Sequence, residues 1–357
     1  MESSEEQGSG LAEEHGGDLT AAEVRFGRPA EGWLDLSTGI NPWPYPLPEL
    51  AATAWTRLPD QAKLADLTAI AAHSYGAGAA AGVAAAPGSQ ALIQLVARLM
   101  PIGRVQIVGY TYREHARCWR AAGHEVIESV DPDGTEPAGD PTVKYVVITN
   151  PNNPTGVRTV PAGLLALAGT LAGRGGMLVV DEAFADVDPA ISVAAAAGQA
   201  GLCVLRSFGK FFGLAGLRLG FALTTRDLAH DITATLGPWA VSGPALAIAG
   251  QALADRDWIT ASRSRLDQQA TRLDAILKRA GLRVIGGTSL FRLAAHPRAE
   301  TFDAGCGRHG ILVRHFPDRP AWLRFGLPAD DAALLRLETG LRRSLCEPPP
   351  GALHSRR

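Results

Sequence analysis

The 357-residue chain has only four cysteines, Cys118, Cys203, Cys306 and Cys346, far apart and without a C-x-x-C pair. That spacing argues against a zinc knuckle, a redox dithiol or a secreted disulfide framework, and a reducing, cytoplasmic setting is expected. An excess of one charge is also missing: 34 Lys and Arg stand against 36 Asp and Glu, a formal net charge of −2. No global field is available to hold nucleic acid or an anionic membrane, so the expected partners are small molecules. Long hydrophobic runs are absent too. Stretches such as 164–172 and 245–254 are too short and too interrupted to span a bilayer, which takes about 20 helical residues. The opening MESSEEQGSGLAEEHGG is acidic and polar, unlike a signal peptide, and export is not expected. There is no internal repeat.

With 46% hydrophobic residues, the chain can bury a substantial core, enough for one large domain and a smaller one. Short β-rich runs alternate with Ala/Leu-rich helical stretches, the rhythm of an α/β fold. The clearest strands are 105–108, 144–149, 177–180 and 202–205. Runs such as Tyr145-Val146-Val147-Ile148 lack polar alternation, as a parallel sheet covered by helices on both faces requires. Beyond residue 238 the pattern predicts helices over 245–254, 258–280 and 330–344, with short strands near 283–285, 290–293, 311–314 and 322–326, hence a second, α+β domain. We expect an arm and small-domain segment over 1–45, the large domain over 46–237, the small domain over 238–346 and a flexible tail over 347–357. The Ala/Gly-rich segment 69–86 reads as a helix and a turn.

In open parallel sheets, ligands collect beyond the carboxyl ends of the strands. Here those ends carry Tyr110-Thr111-Tyr112, Asn150-Pro151-Asn152-Asn153-Pro154, Asp181-Glu182 and Arg206-Ser207. Lys210, among aromatic and glycine residues just after a strand, would be poorly solvated and nucleophilic toward an aldehyde. Ser207 and Arg218 suit a phosphate dianion, although a glycine-rich surface loop with ordinary basic residues is the plainer alternative for that stretch. Asp181 after an apolar strand demands a cation or strong donor, and a protonated pyridine nitrogen is one. Asn153 can donate from a proline-stiffened turn. Gly88, Ser89 and Gln90 open a helix whose free amides form an anion site. Tyr112 can stack on a flat heterocycle. Singly, these residues read as a capping Asp, a turn Asn, a Ser cap and a core Tyr; together they converge.

The order GSQ, TY, NPNNPTG, DEAF and SFGKFFGLAGLRLG resembles the fold type I pyridoxal-phosphate enzymes, from about residue 15 to 341. The resemblance implies a large domain with a mostly parallel sheet between helices, a smaller α+β domain, and pyridoxal 5'-phosphate as cofactor. It implies that Lys210 carries the cofactor, Asp181 pairs with the pyridine nitrogen, Asn153 bonds the ring hydroxyl and Tyr112 stacks on the ring. Gly88, Ser89, Gln90, Ser207 and Arg218 would surround the phosphate. The members of this family are usually homodimers, and one is expected here.

Within that fold the chain is similar to the branch holding histidinol-phosphate aminotransferase and threonine-phosphate decarboxylase. His15-Gly16-Gly17-Asp18 and Leu34-Asp35-Leu36-Ser37-Thr38-Gly39-Ile40-Asn41-Pro42 resemble decarboxylase segments, which implies His15 and Asn41 in substrate binding. Phe184 and Leu58 stand where the aminotransferases have tyrosines, and neither can donate a hydrogen bond. Arg324 matches the carboxylate-binding arginine. The implied reaction is decarboxylation of L-threonine O-3-phosphate to (R)-1-amino-2-propanol O-2-phosphate for cobalamin biosynthesis. The alternatives are an aminotransferase acting on histidinol phosphate and a catalytically silent assembly partner. No metal site is expected.

Overall fold

The structure, a computed structural model, describes residues 16–129 and 140–346. In chain order its strands are β1 (Leu34–Asp35), β2 (Ala81–Ala86), β3 (Arg104–Ile107), β4 (Glu125–Glu128), β5 (Val143–Thr149), β6 (Met177–Asp181), β7 (Leu202–Ser207), β8 (Gly220–Thr225), β9 (Arg283–Thr288), β10 (Phe291–Ala295), β11 (Ile311–Leu312), β12 (Arg314–His315) and β13 (Trp322–Gly326). Seven of them form the large sheet in the order β2-β8-β7-β6-β5-β3-β4. Every neighbour from β4 to β7 is parallel, and β8 alone runs against the rest.

β5 and β6 are almost wholly buried. Two apolar clusters lie on opposite sides of the sheet, one holding Val146, Ile148, Val180 and Val204, the other Tyr145, Val147, Val179 and Cys203. Consecutive residues of one strand thus enter different clusters, which is why these strands lack polar alternation.

The segment 69–86 corrects the expectation of a helix and a turn. Its first residues close the helix Gln61–Ser74, and Ala81–Ala86 is edge strand β2 of the large sheet. Alanine is a weak strand former, and packing overrides it here. A Cβ on Gly82 would stand 2.7 Å from Ala229 Cβ and 2.8 Å from Arg226 Cα, so the helix Arg226–Leu236 lies too close for larger side chains. The predicted strand 311–314 divides: β11 pairs in parallel with β1, while β12 pairs with β13.

The second sheet is antiparallel, in the order β12-β13-β10-β9. Contacts between the sheets converge on the strand ends. Arg324 of β13 donates to Asn153 beyond β5, and the Tyr110 hydroxyl beyond β3 donates to Asp318 Oδ1 at 2.8 Å. Among the described residues, no helix is long and apolar enough to cross a membrane.

Candidate active site

Asp181 closes β6 and is 3% exposed. A carboxylate so buried is costly unless strong donors meet it. Its Oδ1 accepts from the Ala183 amide at 3.0 Å, and its Oδ2 lies 2.8 Å from His115 Nε2. The next residue, Glu182, bonds Arg206 Nη1 at 2.8 Å, while Asp186 takes Nη2 of the same guanidinium at 2.5 Å. This buried knot ties the end of β6 to the end of β7, holding Asp181 and Ser207 at fixed spacing.

Lys210 follows β7 on the short helix Phe208–Phe211. Burial lowers its pKa to about 8, with Arg324 and Arg218 adding to the drop and Asp181 opposing it. All three side chains are therefore near enough to act on its charge. The Lys210 backbone is clamped as well. Its carbonyl accepts from Asn41 N at 2.9 Å, and Asn41 Nδ2 donates to the Phe211 carbonyl at 2.8 Å. With its Oδ1 accepting from Trp43 N, the Asn41 side chain is committed to backbone and holds the lysine segment in place.

Beside Lys210 is a pocket suited to an anion. The helix Ser89–Leu99 begins at Gly88, whose φ of 90° and missing side chain leave the first-turn amides uncapped. A Cβ on Gly88 would stand 2.6 Å from Arg218 Nη2, and one on Gly220 would stand 2.4 Å from Ser89 N. Glycine at both positions keeps the cradle open. Arg218 holds a left-handed backbone (φ 53°, ψ 67°), a conformation that costs about 1 kcal/mol or more for a residue with a side chain and so marks a functional constraint. Ser207 sits opposite Gly220 in the β7–β8 pair, at the same end of the sheet.

Arg324 is 9% exposed, and its Nη1 and Nη2 donate to Asn153 Oδ1 and the Ser37 carbonyl, each at 2.5 Å. Its Nε is buried without a partner. Burial first, and then the charge of Arg314, pull its pKa down to about 10, with Asp35 opposing. Those two arginines face each other across β12 and β13. Asn153, with its Oδ1 taken, has its amide Nδ2 left to donate. Phe184 is buried edge-to-face against Phe291, with ring centroids 5.0 Å apart, and Lys210 Nζ stands 5.9 Å from its ring centre. Gly39 closes this apolar wall, since a Cβ there would lie 2.9 Å from both rings. Leu58 is exposed on the surface. Residue 15 lies outside the described residues; Gly16, the first described, rests against Ser37, where its Cβ would meet the carbonyl at 2.6 Å.

Residues 35–337 match the family model for class I and II aminotransferases. The chain belongs to the class I and II aminotransferase family. It is 47% identical over 328 residues to the threonine-phosphate decarboxylase of Pseudomonas aeruginosa, an alignment covering 92% of this chain and 97% of that one. Among solved structures it resembles the histidinol-phosphate aminotransferase of Sinorhizobium meliloti in complex with pyridoxal-5'-phosphate, with a TM-score of 0.79, 22% identity and coverage of 92% and 94% of the two chains. It also resembles the L-threonine-O-3-phosphate decarboxylase of Porphyromonas gingivalis, with a TM-score of 0.70, 19% identity and coverage of 87% and 99%. These likenesses identify the fold as fold type I.

For a member of this family, sequence reasoning left out several residues that the site gathers. His115 follows Tyr112 by three positions, the spacing of one helix face, and that spacing was the available signal. Arg314 was legible only as part of a strand. Ser37 acts through its carbonyl, which carries no sequence signal.

Proposed function

We propose that the protein is a pyridoxal-phosphate-dependent decarboxylase of L-threonine O-3-phosphate. It takes up one proton, releases carbon dioxide and forms (R)-1-amino-2-propanol O-2-phosphate, the step that serves cobalamin biosynthesis. The observation that carries this reading is the buried Arg324 guanidinium, which acts on the Lys210 charge and keeps its Nε without a partner, together with the Arg218 cradle on the other side of Lys210. Cations gathered in a half-buried site call for a ligand with more than one anionic group, and an amino-acid phosphate has two. The 47% identity to a threonine-phosphate decarboxylase supports it.

The residues fit the cofactor. Gly88 and Gly220 leave open a cradle that any Cβ would fill, the uncapped amides of Ser89 and Gln90 and the Arg218 guanidinium suit its phosphate, and Ser207 stands at the same end. Lys210 would carry the covalent link, Asp181 would hold a proton at the pyridine nitrogen, Asn153 Nδ2 would donate to the ring oxygen and Tyr112 would cover the ring face. When bound, pyridoxal phosphate supplies a ring that takes up the electron pair left on the substrate α-carbon. His115 fixes the Asp181 carboxylate through the 2.8 Å bond. Arg324 grips the substrate carboxylate and sets which α-carbon bond stands perpendicular to the ring. The Phe184, Phe291 and Gly39 wall keeps water from Lys210 Nζ, whose lowered pKa suits it to hand a proton to the α-carbon.

Incubation with threonine phosphate tests the reading. Carbon dioxide release without a keto-acid acceptor is expected; turnover that depends on the acceptor would make the protein an aminotransferase.

The proposed assembly is a homodimer. Leu47, Trp55, Leu58 and Trp239 are exposed large apolar side chains, and the segment of Trp55 packs on the helix Gly243–Ala254 that follows Trp239. Trp239 holds φ at 65°, a cost repaid when its ring is covered by a second copy. Sedimentation should show a dimer that Trp239→Asp dissociates; a monomeric wild type would remove the proposal. We assign 46–237 to the large domain, 238–346 to the small one, and 1–45 to an arm and small-domain segment of which residues 16–45 are described. The parallel pairing of β1 with β11 supports joining the two flanks, which stand on either side of the large domain in sequence. The protein is placed in the cytoplasm, where the buried free thiols of Cys118, Cys203 and Cys306 stay reduced; recovery from an exported fraction would refute this.

A further inference from the structure

Behind Tyr112 runs a chain of side chains that the proposed chemistry does not use. Glu114, 3% exposed, is gripped by Arg117, with Nε to Oε1 at 2.8 Å and Nη2 to Oε2 at 2.9 Å. The same Oε2 accepts from Gln90 Nε2 at 2.6 Å, and Gln90 Oε1 accepts from the Tyr112 hydroxyl at 3.1 Å.

The direction of every bond is forced. An ionised carboxylate is acceptor-only, so Gln90 must turn its amide nitrogen to Glu114. Reversing that amide would set two oxygens 2.6 Å apart. Its oxygen then faces Tyr112, whose hydroxyl has to donate there and is unavailable as a donor to anything on its ring side. Burial first, and then the negative charges of Glu114 and Asp181, raise the Tyr112 pKa to about 12, so the phenol keeps the proton this bond requires.

We propose that Glu114, which touches neither cofactor nor substrate, is the positioning residue that sets the Tyr112 ring and hydroxyl through Gln90. The inference rests on the reading that Tyr112 covers the cofactor ring. Gln90 lies in the first turn of the helix that forms the anion cradle and contributes its backbone amide there, so its side chain is left to the relay between Glu114 and Tyr112. Replacing Glu114 by Gln removes the constraint. Gln90 is then free to turn either way, and Tyr112 loses its fixed partner.

The test is cofactor retention, read by visible absorbance after gel filtration over time, in a double-mutant cycle with Tyr112→Phe. Glu114→Gln should speed loss of pyridoxal phosphate by about 10-fold, the scale of one charge-assisted hydrogen bond. In the Tyr112→Phe background the same substitution should change the rate by less than about 2-fold, because the relay then ends in nothing. A generally structural Glu114 would show the same effect in both backgrounds, and that result overturns the proposal. So does unchanged retention in Glu114→Gln. Should Glu114→Gln fail to fold, Gln90→Met cuts the relay while sparing the Glu114–Arg117 pair, with the same two outcomes. A wild-type protein that never takes up pyridoxal phosphate would defeat the functional reading instead, a result distinct from a wild type that retains it while the variants behave identically.

Discussion

Lys210→Ala should abolish both the covalent cofactor absorbance and turnover, the latter by at least roughly 10⁴-fold, because one amine is assigned both the covalent link and the α-carbon proton. The pH dependence follows from the lowered pKa. An amine attacks a carbonyl only when neutral, and burial brings the Lys210 value to about 8. The rate at which cofactor-free protein captures pyridoxal phosphate should therefore rise with pH and level off above about 8. An ordinary lysine, with a pKa near 10.4, would keep gaining to about pH 10. Capture that still climbs beyond pH 9, or a variant that keeps the covalent band, would remove Lys210 from this role. The folded core should survive, since the Asn41 contacts reach the backbone of residues 210 and 211 and not the lysine amine.

The second large effect concerns Arg324. Arg324→Lys keeps a cation but loses the planar fork that can hold a carboxylate with two bonds. Removing a buried, charge-assisted pair costs about 3–5 kcal/mol, so kcat/KM for threonine phosphate should fall by roughly 10²- to 10⁴-fold. The loss should appear in kcat as well as KM, because the same grip determines which bond is broken. A larger share of turnovers should then lose the α-proton and convert the cofactor to its amine form, read as decay of the visible band during turnover. Unchanged partition with a pure KM effect would confine Arg324 to binding. Stability gives an internal check: the lysine leaves Asn153 Oδ1 or the Ser37 carbonyl without its 2.5 Å donor, so the melting temperature should drop.

Both predictions draw on contacts that local sequence rules reach unequally. Asp181 stands at the end, and Lys210 just past the end, of runs whose apolar character announces buried strands, and the residues that follow such runs gather at the ligand side of the sheet. Asn41 was legible as part of a motif, but its task was not. Its amide is committed to the Phe211 carbonyl, 170 positions away, and no local pattern encodes that bond. Residues 81–86 misled for a related reason. Alanine content reports local helix preference, while the strand there is made by its pairing with β8, and at Gly82 the helix Arg226–Leu236 leaves no room for a Cβ.

The sequence by itself determined the α/β class, the strand ends that bear chemistry and the set of cofactor-like residue types, since each depends on composition and spacing along one segment. Only the tertiary structure decided that His115 meets Asp181, that Arg314 faces Arg324, and that Glu114 commands Gln90. Those pairings depend on strand order, register and the direction of hydrogen-bond donors across space. The bonds of His115 to Asp181 and of Gln90 to Glu114 arise when separate segments are brought within 3 Å, a distance at which the position of a single amide or ring nitrogen decides which group donates and which accepts.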